Sequence, residues 1–527
     1  MIKKIALLAL MCLGMIDLSA KAPKWMANCT SAVLELTTYT DKGVILHRGN
    51  AFFINDKGEA LSAFSYFDGA SRATVTDPKG KEYEVQVICG VDATYDVIRF
   101  QVKADSKIKF IPLSGVVEAD RKAYLIDKTL VEGKVIDVSL IKGDYNYYHL
   151  AFPLTPLQAN LPVVSAEGKV FGLAQTDASG GKTTSYAVSA RYVNSLTFTT
   201  KDIFSDWYKS LKIKKAWPAD SSQAEMLLLL LSGQQNDVTY VQTLDDFIAT
   251  FPSDATGYNQ RASFYADKAL RDKVNQKDWL IKSETDFDKA LDLSTVKSEA
   301  LFSQAKTYYN YALRDTTAGG RWTFANAAEL MTKAIAEDPK VAYQQLLGDI
   351  YIVQENYPEA YNAYNFVCHS STATPASFYR LSQIKQKLPN VNIGEMIALM
   401  DSALVRFGPN PSMESIPYYM ERYRWKLRLL QYDSALQDLE KVISLNPADA
   451  NHLAEQASVY ILTKNYEAAL SRIQKAIILK SDDASYYRLK GFCLIHLEKK
   501  TEACAALHKA VEMGDKIAER LIKKNCE

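Results

Sequence analysis

Small residues recur at a fixed interval of 34 in the second half of the chain: Ala435, Ala469 and Ala503, then Ala457 and Gly491, then Ala476 and Ala510. Tyr432 and Tyr466 keep the same interval. Such a period holds two antiparallel helices, and small side chains at fixed places let them cross closely. One unit of this size cannot bury its apolar face alone, so it stacks on its neighbours into an extended array. The end of the array then needs a cover with a polar outer face. The final stretch, "TEACAALHKAVEMGDKIAERLIKKNCE", has the amphipathic pattern for that role.

The pattern resembles the tetratricopeptide-repeat family at "LLGDIYIVQENYPEAYNAYNFV", where Gly348, Tyr351, Tyr357, Ala360 and Tyr364 hold the consensus places. Weaker copies stand at "ASFYADKA…DFDKALDLS" and "AKTYYNYA…FANAAELMTKAIAEDP", giving about seven or eight repeats from near residue 219 onward. The resemblance implies an inner groove that binds peptides or partner helices. In the best-phased repeats that face carries Met420, Arg424 and Arg428, then Ala454 and Ser458, then Arg488 and Phe492. The arginines suit an acidic or C-terminal peptide, or are solvated surface charges.

The N-terminus reads as an export signal. Lys3 and Lys4 precede an apolar run from Ile5 to Ile16, and "DLSA" places cleavage after Ala20. Cys12 as a lipidated residue is disfavoured by Met11 before it. The longest later apolar run, "MLLLLL" from Met226, is far short of the ~20 residues a membrane-spanning helix needs. The mature chain is therefore expected to be exported without a transmembrane segment. Export favours disulfides, with Cys504 and Cys526 as the candidate pair. Cys493 is a competing partner, Cys29 and Cys89 are candidates for a second bridge, and buried free thiols are the alternative for all. Formal charge is +1, without the basic excess of a nucleic-acid binder, and no Cys/His spacing suggests a metal or cofactor site.

Between Thr30 and Phe198 the chain alternates short β-rich runs such as "AVLELTTYT", "EYEVQVI" and "KVFGLA" with turns such as "DKG", "DPKGK" and "SAEGK". That argues for an all-β barrel or sandwich. The stretch "GNAFFINDKGEALSAFSYFDGASRATVTDPKGKEYEVQVICGVDATYDVIRFQV" resembles the bacterial periplasmic trypsin-like proteases of the Deg type. Gly49, Phe52, Phe53 and Ile54 follow the family's glycine-led strand; Asp56, Gly58 and Ser62 and then Asp68-Gly69-Ala70 follow its next motifs. Asp92 and Asp96 keep its aspartate spacing. The resemblance spans about residues 30 to 198 and implies a trypsin-like double barrel. The expected organisation is a signal peptide (1–20), a protease-fold domain (21–200), a linker helix (201–218) and a repeat solenoid with a C-terminal cap (219–527).

Carried over position by position, the resemblance puts Ser65 where the catalytic histidine belongs and keeps the aspartate as Asp96. The nucleophile motif falls on "LQANLPVV", so Ala159 takes the serine's place, and Leu157, Asn160 and Leu161 replace the glycines beside it. Serine-protease chemistry needs an attacking hydroxyl, an imidazole to accept its proton and backbone N–H groups facing the oxyanion. The first two are missing here. Ser179-Gly180-Gly181 superficially offers another serine, but in a later hairpin loop, and His47 and His149 both lie away from the base position. The strand Thr183 to Val193 occupies the position that lines the family's cleft, where an extended peptide could pair. The sequence therefore points to an exported, non-catalytic scaffold or adaptor for protein or peptide partners in a bacterial periplasm or envelope. The competing expectation is an active serine endopeptidase with an atypical nucleophile, targeted by its repeats.

Overall fold

The computed structural model describes residues 23–104, 107–177 and 183–527. Two compact units divide at Pro252/Ser253.

The first unit opens with a short helix, α1 (Met26–Thr30), and then builds two barrels. Strands β1 (Val33–Tyr39), β2 (Ile45–Phe53), β3 (Glu59–Ser62), β4 (Arg72–Thr76), β5 (Glu82–Asp92) and β6 (Val97–Val102) close in the order β1-β2-β3-β6-β5-β4. Strands β7 (Lys122–Ile126), β8 (Leu130–Ile141), β9 (Tyr145–Leu150), β10 (Pro162–Val164), β11 (Val170–Gln175) and β12 (Ser185–Ser189) close in the order β10-β11-β12-β9-β8-β7. All pairings between these strands are antiparallel.

Period-two alternation sorts the side chains. Leu34 and Leu36 of β1 enter the first barrel with Phe53, Val75, Ile88 and Phe100. Leu125, Val135, Tyr148, Val163 and Phe171 fill the second. Phe52 and Leu61 face out of the first barrel and meet Ile126, Val164, Leu173 and Val188 of the second in a shared apolar layer. The SAEGK hairpin needs glycine at 168, where φ is +73° and an added Cβ would lie 2.5 Å from the Trp25 ring.

After α2 (Ala190–Ser195), the segment 201–218 is helical only at a 3-10 turn, Asp202–Phe204, and at α3 (Asp206–Ser210). The following "LKIKK" is extended because it alternates: Leu211 and Ile213 are buried in the first barrel, while Lys212 and Lys214 are exposed. It hydrogen-bonds to β5 through Ile88 N–H to Lys214 O (2.8 Å) and Ala216 N–H to Ile88 O (2.8 Å). Helices α4 (Ser221–Ser232) and α5 (Asp237–Thr250) complete the unit.

The second unit is all-α. Seven hairpins pair α6 (Ala255–Arg271) with α7 (Gln276–Leu293), α8 (Lys297–Ala312) with α9 (Phe324–Glu337), α10 (Val341–Val353) with α11 (Tyr357–Cys368), α12 (Pro375–Lys385) with α13 (Ile393–Val405), α14 (Ile416–Arg428) with α15 (Tyr432–Leu445), α16 (Ala450–Leu462) with α17 (Tyr466–Leu479), and α18 (Ala484–His496) with α19 (Lys500–Glu512). A fifteenth helix, α20 (Lys516–Asn525), packs Ala518 and Ile522 on the last hairpin. The small residues mark close crossings: a Cβ on Gly348 would lie 2.6 Å from the Tyr364 ring, and one on Gly491 2.6 Å from Leu507. Leu430, Lys464 and Glu498 each turn a hairpin with φ of 57°, 60° and 59°. The interval of 34 is thus repeated in the backbone itself. Cys504 and Cys526 are joined by a disulfide with Cα atoms 5.8 Å apart, which ties α20 to α19. Cys29, Cys89, Cys368 and Cys493 are free and buried.

Candidate functional site

The end of β3 runs into a 3-10 turn, Phe64–Tyr66, that presents Ser65 at the surface. Asp96 stands between β5 and β6 with φ of +51°. The two meet: Ser65 N–H donates to Asp96 Oδ1 at 2.6 Å, and Ser65 Oγ–H donates to Oδ2 at 2.8 Å. Ser65 thus engages both carboxylate oxygens of Asp96, Oδ1 through its backbone N–H and Oδ2 through its hydroxyl.

Asp92, four residues earlier, is a different kind of group. Burial alone would raise its carboxyl, but the Tyr192 hydroxyl, the amides of Tyr95 and Thr94 and the charge of Lys142 together hold it below the usual carboxylate range. The Tyr192 hydroxyl is pushed up by its burial and by that same carboxylate. This pair fastens α2 to the end of β5.

Ala159 follows a 3-10 turn, Pro156–Gln158, capped by Thr155. The turn consumes its own donors. Gln158 N–H bonds to Thr155 O (2.9 Å), Ala159 N–H to Pro156 O (3.4 Å), Asn160 N–H to Ala174 O (2.8 Å) and Leu161 N–H to Gln158 O (3.4 Å). What faces the first barrel is carbonyl oxygen: Asn50 Nδ2 of β2 donates to Leu157 O at 2.7 Å and to Ala159 O at 2.8 Å. The turn therefore presents carbonyl oxygens, not N–H donors, toward Asn50. Leu161 is buried in the second barrel, and Gln158 Nε2 reaches Asp127 Oδ2 at 3.1 Å, so the arrangement is anchored on both sides.

Asn50 is the functional-site residue that sequence reasoning missed. Its only signal was a carboxamide in the middle of an otherwise apolar strand end, "GNAFFI". Beside it, Tyr66 lies directly over Gly49, where any Cβ would come within 2.3 Å of the ring. Gly49, Asn50, Tyr66, Glu35, Arg48, Asp127, Lys128 and the 155–158 turn enclose an open cleft of about 740 Å³.

The two histidines of the unit do not enter this arrangement. His47 is exposed on β2, with its ring 6.4 Å from that of Tyr66. His149 stacks on Tyr186 at 4.8 Å on the second barrel. No hydrogen bond joins either to Ser65 or Asp96 among the described residues. Ser179, Gly180 and Gly181 lie outside the described residues. The expected peptide-pairing edge at Thr183 to Val193 is not open along Ser185–Ser189. That segment is paired with β11 on one side and β9 on the other, because a closed barrel leaves no edges.

In the helical unit, Met420 is buried between α14 and α15. Arg424 is exposed and 3.3 Å from Glu421, and Arg428 is exposed with its guanidinium 4.5 Å from the centre of the Trp425 ring. Arg488 is committed elsewhere: its Nε donates to Asp515 Oδ2 at 2.7 Å, and Asp515 also caps α20. Phe492 packs with Tyr466 and His496. Unforeseen was a buried ionic group one face away, where Arg422 makes several contacts with Asp438 and a 2.6 Å contact with Asp401, and Lys426 lies 2.8 Å from Asp438. Its signal was polar character repeated at Arg422, Gln456 and Lys490, again 34 apart.

Two closed six-stranded antiparallel barrels that share an apolar layer and flank a cleft make the first part a trypsin-like double barrel, and an all-α array follows it. No protein-family profile matches the chain, and no curated protein matches it. Among solved structures it is similar to the serine endoprotease from Yersinia pestis, at 15% identity and a TM-score of 0.28, over 33% of this chain and 65% of that one. The chain thus spans just under two thirds of that structure's length. No helix among the described residues is long and apolar enough to cross a membrane.

Proposed function

We propose that this chain is an exported, non-catalytic scaffold or adaptor: a trypsin-like domain without peptidase chemistry, joined to a tetratricopeptide-type array, that holds other proteins in a bacterial envelope. One observation carries the reading. The turn at Ala159 spends the N–H groups of residues 158 to 161 on its own chain and offers carbonyls to Asn50 instead. Restoring one side chain would not restore an oxyanion site, because the backbone that would form it is folded the other way. The Ser65–Asp96 contact supports the same reading, since it leaves the carboxylate nothing basic to orient. The apolar segment after Lys3 and Lys4 supports export, and the exposed Arg424 and Arg428 support an acidic peptide or a C-terminus as the array's partner.

The test is exposure of the purified chain to a fluorophosphonate serine probe and to unfolded casein. Neither labelling nor cleavage is expected. Labelling that disappears in Ser179→Ala would overturn the proposal in favour of an active peptidase with an unusual nucleophile.

A further inference from the structure

The first unit has a second cavity, away from the barrel cleft. The extended segment 211–217, α3, α4 and α5 enclose about 710 Å³. Its floor is apolar: Ile203, Leu227 and Leu231 are buried there, with Tyr208 and Trp217 packed against them. Its wall carries Lys209, Lys212, Lys214 and Lys215 against a single carboxylate, Asp246. That carboxylate is already taken, by Lys214 and by the Trp217 indole N–H at 3.0 Å.

The other three ammonium groups have no carboxylate partner among the described residues. Lys212 Nζ donates to Lys209 O at 3.0 Å, and Lys215 Nζ to the carbonyls of Leu211 and Ile213. Burial, and then the charge of Lys212, push the Lys215 ammonium down to about 8. Lys215 Nζ also lies 4.6 Å from the centre of the Tyr208 ring, so the exposed Lys209 and Lys212 are the cations of this wall most open to an anion.

The geometry points to a site for the free C-terminal carboxylate of an apolar peptide tail, with the carboxylate between Lys209, Lys212 and Lys215 and the last side chains on the Leu227–Leu231–Trp217 floor. Charge complementarity selects an anion, and the floor selects one with an apolar body. The exposed Gln234, Thr239 and Gln242 on the α4–α5 side offer hydrogen-bond partners to a peptide backbone, which the methylene chain of a fatty carboxylate cannot use. The volume falls within the roughly 300–1,000 Å³ of small-ligand pockets, so it takes a few residues of a tail rather than a folded partner. The site stands whether or not the barrels cut peptides.

Calorimetric titration of the full chain with N-acetyl-Ala-Leu-Leu, as the free acid and as the C-terminal amide, tests it. The acid is expected to bind with a submillimolar Kd and the amide at least tenfold more weakly. The exposed-lysine double variant K209Q/K212Q, checked for an unchanged melting curve, is expected to lose at least tenfold for the acid. The Trp217 indole N–H resonance, assigned with Trp217→Phe, should shift with the acid. Absence of binding, equal binding of acid and amide, or indifference to the double variant would each overturn the assignment. So would tighter binding of decanoate than of the peptide, which would make the cavity a lipid-anion site.

Discussion

On the proposed reading, the double variant Ser65→His with Ala159→Ser is expected to show no peptidase activity. The histidine would gain Asp96 as an orienting carboxylate, and the serine would supply the hydroxyl. The obstacle is the turn. To aim N–H groups at an oxyanion, it must give up at least the two Asn50 contacts and the Ala159 N–H to Pro156 O contact. At about 1 kcal/mol net for each, reorganisation costs about 3 kcal/mol, a loss of roughly 100-fold in rate before any chemistry. Without reorganisation the oxyanion lacks its donors, and one such donor alone is worth about 10²–10³ in kcat. The assay is fluorophosphonate labelling and casein hydrolysis by the double variant, then by the same variant carrying Asn50→Ala to release the two carbonyls. Stoichiometric labelling of the double variant with Asn50 intact would refute the reasoning, because the turn would then be reorganising at little cost.

What was legible in the sequence follows from which contacts have a period. The helical array announces itself because close crossings demand small residues at one place per unit, and the near-contacts at Gly348 and Gly491 are that demand made concrete. The barrel strands announce themselves through alternation, and "LKIKK" had the same alternation although the segment read as a helix. Ser65 and Asp96 were brought together by motif order alone, across 31 residues. Asn50 reaches carbonyls 107 and 109 residues away, and no local pattern encodes such a pair. The arginines show a subtler limit. Two residues along a helix turn the side chain by roughly 200°. Attention to 420, 424 and 428 therefore missed the opposite face, where Arg422 and Lys426 bury Asp438.

Further outcomes follow from these contacts. Asp438→Asn leaves Lys426 without a carboxylate and Arg422 with Asp401 alone, at a site where Asp438 is 2% exposed, and should cost about 3 kcal/mol in urea unfolding of the array. Burial pushes Cys29, Cys89, Cys368 and Cys493 up to about 11, so at pH 8 about one thiol in a thousand is thiolate. Iodoacetamide should leave all four unlabelled in the native chain at that pH and label them on denaturation, where exposure returns each thiol to its ordinary pKa of ~8.5. Lastly, the three hairpin turns at Leu430, Lys464 and Glu498 hold side-chain-bearing residues in the left-handed region, with φ of 57° to 60°. Each closes the same pair of bonds, from the turn residue's N–H to the carbonyl three back and from the next N–H to the carbonyl five back. A Cβ there is disfavoured by roughly 1–2 kcal/mol, part of which glycine returns as greater freedom in the unfolded chain. Leu430→Gly, Lys464→Gly and Glu498→Gly should therefore each stabilise the array by about 0.5–1 kcal/mol. The sites are a full repeat apart and share no partners, so the triple variant should show the sum in its urea midpoint. Destabilisation by any one of the three would mean that its side chain contributes more to the turn than the strained backbone costs.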